Sequence, residues 1–138
     1  MAIEFTARVL IDGSATGKVL KLAQPLSFWG GVNPTDGTIT QPVHPDFGAG
    51  VADKILVLPG MIGSSSSSAI MLELINAGVA PAALIMADID AILALGVIAG
   101  TELGLPALPV LQSAVDAFET GQQAEISSGG GIRLGGSA

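Results

Sequence analysis

This chain of 138 residues has no cysteine, one histidine and no tyrosine, and aromatic residues make up only 4% of it. The missing thiols exclude a disulfide framework, a thiolate metal site and a cysteine nucleophile. A single imidazole excludes a metal site built from several histidines. Positive charge is scarce: five Lys and Arg stand against twelve Asp and Glu, a net charge of −7. Such an acidic surface repels phosphate backbones, so no nucleic-acid partner is expected. No long apolar run is present. The longest, Ala91 to Gly100, is about half a bilayer span and follows Asp88 and Asp90, so no membrane insertion is expected. The opening residues Met1-Ala2-Ile3-Glu4 lack the basic and apolar regions of a secretory signal. Together these absences predict a soluble cytoplasmic protein.

What is present favours a folded domain. An apolar fraction of 49% with 12% charged residues excludes intrinsic disorder. The length predicts one domain over residues 1–138, able to bury about two thirds of its unfolded surface. With so few aromatics, the core must be Val, Ile, Leu and Ala. The mean hydropathy of +0.66 is high and predicts apolar surface kept for a partner.

The patterning divides the chain in two. Ile3, Phe5, Ala7, Val9 and Ile11 alternate as in a half-buried strand over residues 3–11, turned by Asp12-Gly13-Ser14. Val19, Leu20 and Leu22 suggest a second strand, ended by Pro25. Residues 27–50 read as a long loop with a short strand at Thr38–Thr40, and long loops in small domains usually carry function. From Asp53 onward the pattern becomes β-α-β-α-β-α. Strands are expected at Lys54–Leu58, Ala82–Ala87 and Leu108–Leu111. Helices are expected at Ala69–Ala77, closed by Gly78, at Ala91 to Leu103, capped by Asp88 or Asp90, and at Ser113–Thr120. Ala124–Ser127 and Ile132–Leu134 flank a turn at Ser128–Gly131, a closing hairpin. The fold class is α/β, with a parallel βαβ core and a β-rich antiparallel layer.

The segment from Leu58-Pro59-Gly60 to Gly63 and the five serines Ser64–Ser68 lies between a buried strand and a helix start. Ligands of parallel sheets bind beyond the strands' C-terminal ends, and free N–H groups at a helix start attract negative charge. One serine suffices as a cap, and serine is a poor helix former, so five in a row point to function. The loop lacks the Gly-Lys-Ser/Thr ending of a Walker A motif and the Gly-x-Ser-x-Gly of a nucleophile elbow. His44 is a candidate base or phosphate carrier, its plainer role being a surface hydrogen bond. Trp29 is a candidate ligand wall or interface plug, or a core residue. Asp88 and Asp90 could pair for acid–base work, though capping accounts for them. Arg133 is a candidate anion clamp or a solvated hairpin residue.

The motifs Pro25-Leu26-Ser27-Phe28-Trp29-Gly30-Gly31-Val32-Asn33-Pro34, Gly37, His44-Pro45, Leu58-Pro59-Gly60, Gly63-Ser64-Ser65 and Gly78-Val79-Ala80-Pro81-Ala82-Ala83 resemble the aconitase X family. The likeness is to its small subunit, or swivel domain, and spans residues 5–112. It implies a swivelling β/β/α domain related to the mobile domains of aconitase and isopropylmalate isomerase. It implies a hydro-lyase of two subunits acting on a small hydroxy acid, cis-3-hydroxy-L-proline in some members and mevalonate 5-phosphate in others, mostly archaeal. The large subunit would carry an iron or iron–sulfur centre, and this chain would bind no cofactor itself. The family's proton-accepting serine follows the loop glycine, which makes Ser64 the catalytic residue and Gly63, Ser65 and Ser66 the substrate-binding ones.

Two departures from the pattern matter. Aconitase has Gly-Ser-Ser-Arg at this loop, whereas Ser66 stands in the arginine position here; many relatives have a basic residue where this chain has Ile62. Both leave contacts to a substrate carboxylate or phosphate to the partner. The implied reaction takes a proton from the carbon beside a carboxylate while a Lewis acid assists the departing hydroxide. A serine hydroxyl is too weak a base unless alkoxide is favoured by N–H donors and a nearby metal. The lack of cations around the loop favours cis-3-hydroxy-L-proline as substrate. The rival readings are a non-catalytic swivelling module, with His44 carrying phosphate, and a small-anion-binding module.

Overall fold

The computed structural model describes residues 3–60 and 66–137. The elements in chain order are β1 (Ile3–Thr6), β2 (Arg8–Ile11), β3 (Ala15–Lys21), α1 (Phe28–Gly31), β4 (Ile55–Leu58) and α2 (Ser67–Ala77). They continue with β5 (Ala83–Met86), α3 (Ala91–Glu102), β6 (Val110–Gln112), β7 (Gln122–Ser127) and β8 (Gly131–Ser137). Eight strands form one sheet in the order β1-β8-β7-β3-β4-β5-β6-β2.

Strand β3 is the seam between the two halves read from the sequence. Its first part pairs antiparallel with β7, Ala15 opposite Ile126, and its last part pairs parallel with β4, Val19 opposite Ile55. β4, β5 and β6 continue the parallel ladder. The two edge strands, β1 and β2, are consecutive in the chain and separated only by Ala7, whose N–H donates to Gly130 O at 2.8 Å. The sheet therefore curls back on itself and is nearly closed.

The curl makes two cores. Inside it lie Val19, Ile55, Val57, Ile85, Leu111, Ile126, Ile132 and Leu134, with Phe118 meeting Phe5 edge-on at 5.7 Å. Outside it, Leu56, Leu58, Leu84 and Met86 meet Ile70, Met71 and Leu74 of α2 and Leu93 and Val97 of α3. Every residue of β4 and β5 is buried because alternate side chains enter opposite cores. The layers are thus β/β/α, as expected.

Four local expectations are corrected. The single strand over residues 3–11 is two strands, split at Ala7 between opposite sheet edges. The third parallel strand starts at Val110, not Leu108, because Pro109 has no N–H to give the ladder. Thr38–Thr40 forms only isolated bridges, Val32 with Ile39 and Thr38 with Gly50. Ser113–Thr120 is not a helix but a turn in which Phe118 N donates to Val115 O. A helix there would lie on the α2–α3 side, whereas β7 and the buried Phe118 belong to the other core. No helix among the described residues is long and apolar enough to cross a membrane.

Candidate functional site

The site grows from the C-terminal ends of the parallel strands. β4 ends at Leu58, and Pro59 and Gly60 lead out of it. Helix α2 resumes at Ser67 with Ser66 as N-cap residue, whose carbonyl accepts from Ile70 N at 3.3 Å. The catalytic candidate Ser64, and Gly63 and Ser65 beside it, lie outside the described residues. Of the four candidates, only Ser66 is described, and it stands at the mouth of the helix. Ser67 is wholly buried, and its Oγ has no hydrogen-bond partner among the described residues. The helix thus starts two residues earlier than its apolar pattern suggested, and two of the five serines belong to it.

Beside Gly60 a cleft is lined by Pro25, Asp88, Asp90 and Ile92. Asp90 caps α3, its Oδ1 accepting from Leu93 N at 3.0 Å, as the capping account expected. Asp88 is exposed at the cleft. On the other flank, Trp29 and Val32 face Ile70 and Glu73 of α2 across a second groove. The side chain of Trp29 is exposed rather than in the core, while its neighbour Phe28 is buried.

His44 is not on the surface. Its ring is buried, Nδ1 accepts from Asp46 N at 3.0 Å, and Nε2 lies 3.1 Å from Gln24 O. Since Nδ1 accepts, Nε2 carries the proton and donates to Gln24. Asp46 Oδ2 in turn accepts from Ala23 N at 2.9 Å. The pair ties the 42–47 turn to residues 23–24, and neither ring nitrogen is left to carry phosphate. Sequence reasoning missed this because the partners lie twenty positions away. Arg133 is solvated, its Nε 3.7 Å from Glu4 Oε1 with both side chains mostly exposed.

Among the described residues, no three of His, Cys, Asp and Glu come together as metal ligands. The chain also has no cysteine to hold an iron–sulfur cluster by thiolates.

Layers and site together define a β/β/α domain in which a serine-bearing segment links the C-terminal end of a parallel strand, β4, to the start of α2. The chain belongs to the aconitase X family: the model of the aconitase X swivel domain matches residues 4–134. It is 43% identical over 103 residues to a cis-3-hydroxy-L-proline dehydratase of Pseudomonas aeruginosa, a match covering 75% of this chain and 18% of that protein. It is 35% identical over 124 residues to a phosphomevalonate dehydratase small subunit of Methanocella arvoryzae, covering 89% of this chain and 92% of that one. The chain therefore spans about a fifth of the first relative and nearly all of the second. Among solved structures, the crystal structure of Thermococcus kodakaraensis aconitase X in its holo-form superposes with a TM-score of 0.87 at 29% identity, covering 97% of this chain and 99% of that one.

Proposed function

We propose that this chain is the small subunit of a cytoplasmic dehydratase, a hydro-lyase whose active site is completed by a large subunit bearing the iron or iron–sulfur centre. The observation that carries this reading is the position of the serine loop. It joins the C-terminal end of β4 to α2, and the first N–H groups of an α-helix have no partners within the helix itself. Family membership and the names of the length-matched relatives support it.

In this reading Ser64 takes the proton from the carbon beside the substrate carboxylate. Gly63 lets the backbone approach the substrate, and Ser65 and Ser66 hold it. The hydroxide leaves from the neighbouring carbon toward the large subunit. The favoured substrate is cis-3-hydroxy-L-proline, losing the C2 proton and the 3-hydroxyl. The Methanocella relative supports mevalonate 5-phosphate as the alternative.

The test is to purify the chain alone and together with its cognate large subunit and to follow dehydration of both substrates. Turnover only when both chains are present is expected. Turnover by the single chain, or none from the pair on either substrate, would overturn the reading.

A further inference from the structure

Trp29 is the only tryptophan of the chain and is 60% exposed, yet the backbone beneath it is held. The turn sinks Phe28 and Gly31 into the core and takes Gly30 through the left-handed region at φ 77°. Ser27 Oγ donates to Trp29 O at 3.0 Å, Ser27 N donates to Gln41 Oε1 at 3.0 Å, and Thr40 N donates to Gly31 O at 2.9 Å. Gly31 leaves no slack, since a Cβ there would lie 3.1 Å from Gln41 Oε1 and 3.2 Å from Leu26 Cδ1. A large aromatic side chain is thus presented to solvent from a fixed backbone. Such presentation lowers the ordering cost of binding, which suits an interface anchor.

The groove beside Trp29 runs along Val32 and Pro34 to Ile70 and Glu73 of α2, and among the described residues lining it Glu73 alone is charged. Ile70 lies in the first turn of the helix that the serine loop enters. We propose that this groove is a docking site for the large subunit, with Trp29 inserted into an apolar pocket of that subunit and a basic residue of the subunit facing Glu73. The proposal rests on the dehydratase reading above and names the surface through which it is assembled.

Three observations select this occupant. In the Pseudomonas relative the matching region is 18% of one longer protein, so there the domain is joined to a much larger body. Relatives of this chain's own length are named small subunits, which implies that body as a separate chain. The groove includes Ile70 in the first turn of α2, so a partner that closes over the start of this helix also lies over Trp29. A second copy of this chain fits less well, because it would bring like charges together from two chains of net charge −7.

The single tryptophan makes the test direct. The chain is labelled with 5-fluorotryptophan, giving one fluorine resonance, and titrated with the cognate large subunit; affinity is measured in parallel for Trp29→Ala, Trp29→Phe and Leu103→Ala. Leu103 is 69% exposed at the far end of α3 and serves as the control. The resonance is expected to shift and lose its solvent isotope effect on binding. Trp29→Ala should weaken association about thirtyfold or more, Trp29→Phe less, and Leu103→Ala not at all. The isolated Trp29→Ala chain should melt with the wild type. Wild-type affinity in Trp29→Ala, or an unmoved resonance in the complex, would overturn the docking role. Unchanged affinity with a raised KM would instead make Trp29 a wall for substrate, and the dehydratase reading would survive. If the wild-type chain does not bind a large subunit at all, that reading fails and the docking site with it.

Discussion

Gly96 of α3 lies directly against Ser68 of α2: a Cβ at Gly96 would sit 2.5 Å from Ser68 O and 2.8 Å from Met71 Cβ. The two helices meet backbone to backbone within the first turn of α2. The contact seats the first turn of α2 directly on α3.

Replacing Gly96 by Ala should therefore destabilise the chain by about 1–3 kcal/mol, the usual range for overpacking. Gly100, one turn further on, is the contrast. Its Cβ would find only ordinary contacts, 3.6 Å from Ile75 Cδ1 and Leu72 Cδ1. Gly100→Ala should be neutral or stabilise by up to about 1 kcal/mol through helix propensity. Urea unfolding of both variants checks this. Equal stabilities would mean that the helices do not approach as closely as described.

Much of this arrangement is legible in the sequence. Ile55-Leu56-Val57-Leu58 reads as a doubly buried strand because no polar residue interrupts it, and Asp90 and Gly78 mark a helix start and a helix end. The break at Ala7 is not legible. Phe5, Ala7 and Val9 all face the same inner core, so the alternation runs unbroken through a change of sheet edge. The failed helix at Ser113–Thr120 has the same origin: its apolar spacing fits a helix, but Phe118 is needed on the other side of the sheet. For the site, the glycines and serines mark the loop between β4 and α2. They do not rank the serines, because the burial of Ser67 is a matter of tertiary packing that the local pattern does not carry.

That ranking has a functional test. In the assembled enzyme, Ser64→Ala should lower kcat at least about a hundredfold, the minimum cost of removing a general base. Ser67→Ala should keep near-normal turnover. It should also leave stability unchanged or slightly raised, since the buried Ser67 Oγ has no partner to lose among the described residues. Normal turnover in Ser64→Ala with loss in Ser67→Ala would move the proton acceptor to the wrong side of the helix start for this mechanism.

Acid stability should depend on the turns rather than on the site. Asp12 accepts from Gly129 N at 2.9 Å, from Ser128 Oγ at 2.8 Å and from Gly13 N, and these bonds hold its carboxyl below the usual value. Asp36 is lowered likewise by the Thr38 N–H and hydroxyl. A carboxylate lowered on folding contributes stability above its unfolded pKa of about 3.9 and loses it as pH falls through the folded value. The melting temperature should therefore fall between about pH 5 and pH 2, and fall less steeply in Asp12→Asn/Asp36→Asn. Parallel acid limbs in the two proteins would exclude these residues as the cause.

The remaining prediction is the substrate. No Lys or Arg lies between Lys54 and Arg133, so neither the serine loop nor α2 nor α3 carries a cation. A phosphate dianion is usually held by Arg or Lys as well as by backbone N–H groups. The cleft beside Gly60 instead presents Asp88 and Asp90, with Ile92 as an apolar wall. Two carboxylates disfavour a phosphate and suit the ring ammonium of a proline, and the net charge of −7 gives no long-range attraction to an anion. The reconstituted pair should therefore show a kcat/KM at least about tenfold higher for cis-3-hydroxy-L-proline than for mevalonate 5-phosphate, about 1.4 kcal/mol of transition-state preference. Side-by-side assays at equal ionic strength measure the ratio. A ratio favouring the phosphorylated substrate would mean that cations of the large subunit outweigh everything this chain presents, and the preference would then have to be sought in that subunit.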